Sequence, residues 1–151
     1  MMLQHTPEVN HIADIIKVMN SGIEFYQEAK EKIDRPEYTS FFNRMIDAKE
    51  SAVFELQKYA VVEKGDLETG SDSMTEARKI YTKLVDKIST GSSAENYVDQ
   101  LEEVEDKVLE EINEALAKDQ APDCEATLHR VKVRMKECHD EMRMLQNGLV
   151  H

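Results

Sequence analysis

The chain has 151 residues, of which 33% are charged, and Asp plus Glu outnumber Lys plus Arg by 31 to 19. This length fits one domain with its own core. The many charged residues, only 5 Gly and 3 Pro, and 6% aromatic residues favour helices over a sandwich or barrel. A formal net charge of −12 repels a phosphate backbone, so nucleic acid is not an expected partner. We predict one all-α domain over residues 1–151.

The first seven residues lack the basic and apolar regions of a secretory signal. No apolar run approaches the roughly 20 residues that span a bilayer, so a cytoplasmic protein without a membrane partner is expected. Cys124 and Cys138 fall on one predicted helix, about 21 Å apart along its axis, which is too far for a disulfide. Both are predicted to be small buried apolar residues.

The first predicted helix covers residues 8–33, with Thr6 as its N-cap and Pro7 at its first position. Gly22 falls on its apolar face. Glycine inside a helix costs about 1 kcal/mol relative to alanine, so this position predicts the close approach of another helix. The second predicted helix covers residues 36–64 and stops at Gly65.

Three further helices are predicted over residues 74–88, 93–118 and 122–147. Ser73 and Glu76 form a capping box for the first of these, and Asn147-Gly148 should end the last. His139 is the only polar residue near the middle of the last helix's seam with metal-ligand or acid–base chemistry. This seam is formed by apolar residues that recur at alternating spacings of three and four, namely Leu128, Val131, Met135, Cys138, Met142 and Leu145.

The connections between these helices favour one topology. Short turns at residues 34–36 and 119–121 make the first pair and the last pair of long helices antiparallel hairpins. Nearly thirty residues, including the short extra helix, separate the two pairs. A long crossover of this kind is typical of ferritin-like four-helix bundles, and we predict that fold.

Ferritin-like bundles with two metal ions use a Glu from each of two helices and a Glu-x-x-His from each of the other two. This chain has no complete set, because Lys136 stands three residues before His139. Glu105 and His139 could form a partial site for iron or another divalent metal, with Glu55 or Glu111 reaching towards them. The alternative is structural: Glu105 is solvated or paired with a lysine, and His139 is a hydrogen-bonded seam residue.

Other chemistries lack a starting motif. The sequence has no glycine-rich phosphate loop, no Gly-x-Ser-x-Gly elbow and no Cys-x-x-Cys. We predict no organic cofactor and no catalytic residue.

Several short motifs together resemble ferritin-like bacterial proteins of unknown function, about 150 residues long. They are residues 20–29, the turn 34–37 followed by Phe41-Phe42, Glu105-Asp106, and residues 139–143. The resemblance implies the ferritin-like fold over nearly the whole chain. Two expected ligands are missing, since Ser21 replaces an acid before the glycine and Ala52 stands where a histidine is expected.

Two functional hypotheses remain. The first is a non-enzymatic bundle that acts through protein association, including a possible homodimer along an apolar flank formed by exposed Phe25, Phe54 or Val62. The second is a ferritin-like metal protein, for iron handling or oxidation, with a degenerate site at Glu105 and His139. The incomplete ligand set favours the first.

Overall fold

The computed structural model describes residues 8–71 and 93–149, which form four helices and no strand. The helices are α1 (Ile12–Lys32), α2 (Pro36–Lys64), α3 (Ser93–Leu116) and α4 (Pro122–Leu149). This result confirms the all-α prediction. The predicted helix at 74–88 lies outside the described residues. In the described part of the chain, no helix combines the length and the apolar character needed to cross a membrane.

The four helices pack in a ring in which α1 contacts α2 and α3, and α4 contacts α3 and α2. The α1–α2 turn is short, and so is the α3–α4 turn, which makes both pairs antiparallel. The neighbouring helices α2 and α4 are also antiparallel, because Arg44 pairs with Glu141 near one end and Tyr59 contacts Thr127 near the other.

Helices α2 and α3 run parallel. The C-terminal end of α2 lies beside the start of α1, where Glu63 Oε1 accepts hydrogen bonds from the backbone N–H groups of Ile12 and Ala13, both at 2.9 Å. The C-terminal end of α3 lies there too, since Glu111 contacts His11. The segment 65–92 therefore connects two residues, 64 and 93, that lie at opposite ends of the bundle.

The described part of this connection turns back along the bundle from the end of α2. Gly65 ends α2 in the left-handed conformation, as its position predicted. Glu68 exchanges backbone hydrogen bonds with the Gln57 side chain, and Asn20 then donates to the carbonyl of Gly70. Residues 65–71 thus run from the end of α2 to the middle of α1.

The start of α1 differs from the prediction. Residues 8–10 are not helical, and α1 begins at Ile12 rather than at residue 8. Their backbone groups bond to the α3–α4 turn instead: Ala121 N–H donates to the Glu8 carbonyl at 2.7 Å, and Asn10 and Gln120 exchange two bonds. These tertiary hydrogen bonds outweigh the local helix signal.

Smaller differences occur at the other helix ends. Helix α3 stops at Leu116, two residues before the predicted end, and α4 continues through Gly148 to residue 149. Glycine costs little so close to a helix terminus, and ends routinely differ by one or two residues.

The inward faces of all four helices form one apolar core, and Cys124 and Cys138 are buried in it as predicted. Gly22 marks a tight crossing inside it. A Cβ atom there would lie 3.1 Å from Val104 Cγ1 on α3 and 3.3 Å from Lys49 Cε on α2. The glycine therefore lets both neighbours approach α1, as the sequence predicted.

Candidate functional site

A charged pair lies in the middle of the bundle. Lys49 on α2 and Glu105 on α3 are both fully buried, and Lys49 Nζ lies 2.5 Å from Glu105 Oε2. Tyr26 on α1 is also fully buried and donates its hydroxyl hydrogen to the same oxygen at 2.5 Å. Three helices thus each contribute one polar side chain to a single buried cluster, which we call the central triad.

The side chain of Lys49 reaches this position along two neighbours. Its aliphatic stem passes Gly22, where the missing side chain leaves room, and its ammonium group lies 5.0 Å from the centre of the Tyr26 ring. The ring face attracts a cation, so Tyr26 contacts Lys49 as well as Glu105. Buried charges need such compensation, because each loses its hydration.

Burial in and beside the triad keeps the Tyr26 hydroxyl and the Cys138 thiol neutral. Burial, the negative charge of Glu105 and the hydrogen bond to Glu105 raise the pKa of Tyr26 well above its usual value. Burial likewise raises the pKa of the Cys138 thiol on α4. Both groups therefore stay protonated at neutral pH, and Tyr26 acts as a hydrogen-bond donor.

One carboxylate oxygen of the triad is unusual. Glu105 Oε1 is buried and makes no hydrogen bond with any residue that the structure describes. All identified stabilisation of this carboxylate acts through Oε2, which faces Lys49 and Tyr26. The triad is consequently sensitive to the loss of either partner.

Of the two predicted metal ligands, Glu105 lies inside the bundle and His139 lies at its rim. The donors grouped around His139 are Glu102 and Asp106, one turn apart on α3, and Glu105 is not among them. His139 Nε2 lies 2.6 Å from Asp106 Oδ1 and 3.4 Å from Glu102 Oε2. The structure thus gives the two residues different partners: a lysine for Glu105, and for His139 two acids at the rim, one buried and one exposed.

The acids around His139 influence one another. Burial raises the pKa of Glu102, and the adjacent Asp106 carboxyl raises it further. Asp140, on the other side of the imidazole, has its pKa lowered by hydrogen bonds from Lys136 and His139. Negative charge is therefore concentrated on two sides of His139.

A second histidine at the opposite end of α3 has the same kind of surroundings. His11 Nε2 lies 2.8 Å from Glu111 Oε1 and 3.2 Å from Glu114 Oε2. His11 precedes α1 with a left-handed φ of 68°, which is uncommon for residues other than glycine. Burial is the largest single influence on the pKa of nearby Lys107 and lowers it, but the hydrogen bond to Glu111 and the negative charges of the surrounding glutamates together raise the pKa above its usual value.

The described part of the chain also has grooves on its surface. One, of about 430 Å³, lies between α2 and α4 and includes Arg44, Arg130 and Arg134. Another, of about 510 Å³, lies between α1 and α2 and includes the exposed ring of Phe54 and Thr69 of the returning loop. Neither groove is lined by a residue of the central triad.

The expected apolar flank is partly present. Phe54 is 83% exposed and Val62 is 52% exposed, in agreement with the prediction. Phe25 is only 2% exposed, so the prediction that it is exposed was wrong. Its position belongs to the buried core of α1, which is wider than the stripe deduced from the sequence.

Comparison with known families gives one match. A family profile described as "Domain of unknown function (DUF2383)" covers residues 7–118. The chain belongs to this family. The DUF2383 match includes all three residues of the central triad and ends before α4, which carries Cys138 and His139. No curated protein and no solved structure matches the chain.

Proposed function

We propose that this DUF2383 member is a bacterial protein with a ferritin-like fold, and that it works by protein association rather than by catalysis. The parallel course of α2 and α3 supports the ferritin-like assignment, because a parallel second and third helix require a long crossover. An up-down-up-down bundle would have them antiparallel. The returning course of residues 65–71 supports the same topology.

The observation that carries the non-enzymatic proposal is the ion pair between Lys49 and Glu105. In metal-containing ferritin-like bundles, the central acidic side chains surround cations. Here an ammonium group lies 2.5 Å from the central carboxylate, so the positive charge is supplied by the chain itself. A metal ion at Glu105 would have to displace a fully buried lysine, leaving that second charge without its partner.

We propose self-association through the outer face of α2 as the form of association. Phe54 and Val61 are seven residues apart and Val62 is eight from Phe54, so the three share one side of the helix, and all are exposed. Leu67, just after α2, is 52% exposed. Exposed apolar side chains grouped in this way are typical of protein contact surfaces.

Sedimentation equilibrium at several salt concentrations tests this proposal. With a net charge of −12, two copies repel each other, so dimer formation should strengthen as salt screens the repulsion. Phe54→Ser should weaken association by at least about tenfold, as expected for a central aromatic contact. Met144→Ser is the matched control, because Met144 is 72% exposed on α4, away from this face.

Two outcomes would contradict the association proposal. One is a wild-type chain that stays monomeric at every salt concentration. The other is a Phe54→Ser variant that melts at a lower temperature but associates like wild type, which would place Phe54 within the fold of one chain. Cytoplasmic location remains part of the proposal and is tested by fractionating cells that express the full chain.

The alternative function is metal handling or oxidation at a degenerate site near Glu105 and His139. The clustering of His139 with Glu102 and Asp106 favours a metal at the rim. The lysine on Glu105 argues against one in the centre. Oxidation chemistry of the ferritin-like kind needs the central position, so we rank the alternative second.

A further inference from the structure

The rim cluster at His139 has the donor set of a metal site. One imidazole nitrogen and two carboxylate oxygens, from His139, Glu102 and Asp106, all lie within 4.8 Å of one another. His139 and Glu102 are largely buried, with side chains 12% and 11% exposed, whereas Asp106 is 53% exposed. Two ligands are therefore held by the bundle and the third can move.

The orientation of the imidazole matches that of a metal ligand. His139 Nδ1 lies 3.3 Å from Asp140 Oδ1, so it can donate its hydrogen to that carboxylate. A carboxylate in this position commonly fixes a metal-bound histidine and exposes the lone pair of the other nitrogen. That nitrogen, Nε2, faces Glu102 and Asp106. A lone pair on Nε2 is repelled by the two carboxylates that it faces. A proton or a metal cation must therefore lie between this nitrogen and the carboxylates.

The spacing of the donors suits a small divalent ion. Ligands at about 2.0–2.2 Å from a tetrahedral ion lie roughly 3.4 Å from each other. His139 Nε2 and Glu102 Oε2 are already 3.4 Å apart, and only Asp106 Oδ1, at 2.6 Å from Nε2, has to move outward. Its exposed side chain permits that movement.

The His11 cluster provides an internal comparison. His11 Nδ1 lies 3.2 Å from Asp14 and its Nε2 faces Glu111 and Glu114, which repeats the arrangement at His139. Lys107 already supplies a cation there, 3.2 Å from Glu111 Oε2. At the His139 cluster the nearest guanidinium is that of Arg143, an exposed side chain 3.4 Å from Glu102. Lys136 pairs with Asp140 there at 3.0 Å. Arg143 and Lys136 are 57% and 59% exposed, whereas Lys107 is 38% exposed, so the cations at the His139 cluster can turn into solvent more readily when an ion binds.

We propose that Glu102, Asp106 and His139 bind one borderline divalent transition-metal ion, with Asp140 orienting the histidine. A mixed set of imidazole and carboxylate donors favours ions such as Zn²⁺ over Mg²⁺ or Ca²⁺, which prefer oxygen ligands alone. The site joins α3 to α4 at the rim and is separate from the association surface on α2.

Calorimetric titration of the metal-free full chain with Zn²⁺ tests this proposal. Wild type should bind one ion at this site, and a large excess of Mg²⁺ should not displace it. His139→Gln should lower the affinity by at least about a hundredfold, and Asp140→Asn by about tenfold, as found for residues that orient a metal ligand. Glu102→Gln, which preserves side-chain shape, should also abolish tight binding.

Two control variants separate this site from other zinc binding. His129→Gln removes an exposed histidine from the same helix and should leave the affinity unchanged. His11→Gln should leave the tighter site intact. The proposal is overturned if wild type shows no saturable binding, if binding survives both His139→Gln and Glu102→Gln, or if His129→Gln weakens it equally. Circular dichroism at the titration temperature establishes that each variant is folded. A smaller heat of binding then reflects loss of the metal site and not unfolding.

Discussion

Replacing Lys49 with methionine should destabilise the bundle more than any substitution on its surface. Methionine keeps most of the side-chain volume but removes the ammonium group that lies 2.5 Å from Glu105 Oε2. At an effective dielectric constant of about 20, that distance corresponds to a gross attraction of about 7 kcal/mol. The cost of desolvating the two charges offsets most of this attraction, so the pair itself adds little net stability.

Removing Lys49 has a larger effect, because it leaves Glu105 charged and fully buried, with Tyr26 as its one hydrogen-bond donor among the described residues. Removing one partner of a buried pair typically costs about 3–5 kcal/mol. For a chain of this size, that should lower the melting temperature by about 6–20 °C. Urea unfolding followed by far-ultraviolet circular dichroism measures the free energy directly.

The double variant Lys49→Met/Glu105→Gln decides whether the interpretation is correct. With both charges removed, we expect it to be no less stable than either single variant, which gives a coupling energy of about 3 kcal/mol. Lys58→Met is the control, because Lys58 is exposed on the same helix and its ammonium group lies 5.1 Å from the centre of the Tyr59 ring. It should change stability by less than about 1 kcal/mol. A Lys49→Met variant as stable as Lys58→Met would refute the argument.

Three further predictions concern the same core. Tyr26→Phe removes the hydrogen bond to a charged acceptor and should cost about 1.5–3 kcal/mol in urea unfolding; no loss would mean that the bond is not formed. Gly22→Ala should cost about 1–3 kcal/mol because its Cβ meets buried atoms at 3.1 Å, whereas Gly148→Ala, with nothing within 4 Å, should be neutral or stabilising. Burial raises the pKa of Cys124 from 9.0 to about 11, so its thiolate fraction at pH 8 falls roughly a hundredfold. Alkylation of Cys124, followed by peptide mass spectrometry, should therefore be slow in the folded chain and fast in urea; equal rates would contradict its burial.

The fold was largely predictable because it depends on periodic apolar residues and on the lengths of connections. Helix α2 was predicted with its observed bounds, and Gly22 and Gly65 were placed correctly from the backbone freedom that glycine alone provides. The start of α1 was not predicted correctly, because hydrogen bonds with Gln120 and Ala121 hold residues 8–10 in a non-helical conformation. Contacts between residues more than a hundred positions apart leave no local signal.

The site was less predictable for the same reason. Glu105 was singled out from the sequence as a candidate ligand, and pairing with a lysine was one of its two structural interpretations; the structure buries it beside Lys49. Lys49 was not identified, since a lysine on a helix is normally on the surface. The only sequence signal for it was Gly22, which leaves room for a side chain but does not specify which one. His11 was not predicted to be a site residue, although the fold brings it to Glu111.

The measurement that tests the account most directly is an anaerobic calorimetric titration with ferrous ion. It is carried out on the His139→Gln variant, in which the rim cluster is disabled, and on the double variant His139→Gln/Glu105→Gln. If Lys49 supplies the only cation at the centre, replacement of Glu105 should make no difference to any remaining binding. Saturable ferrous binding that disappears with Glu105→Gln would show that the bundle centre takes a metal ion and would contradict the account.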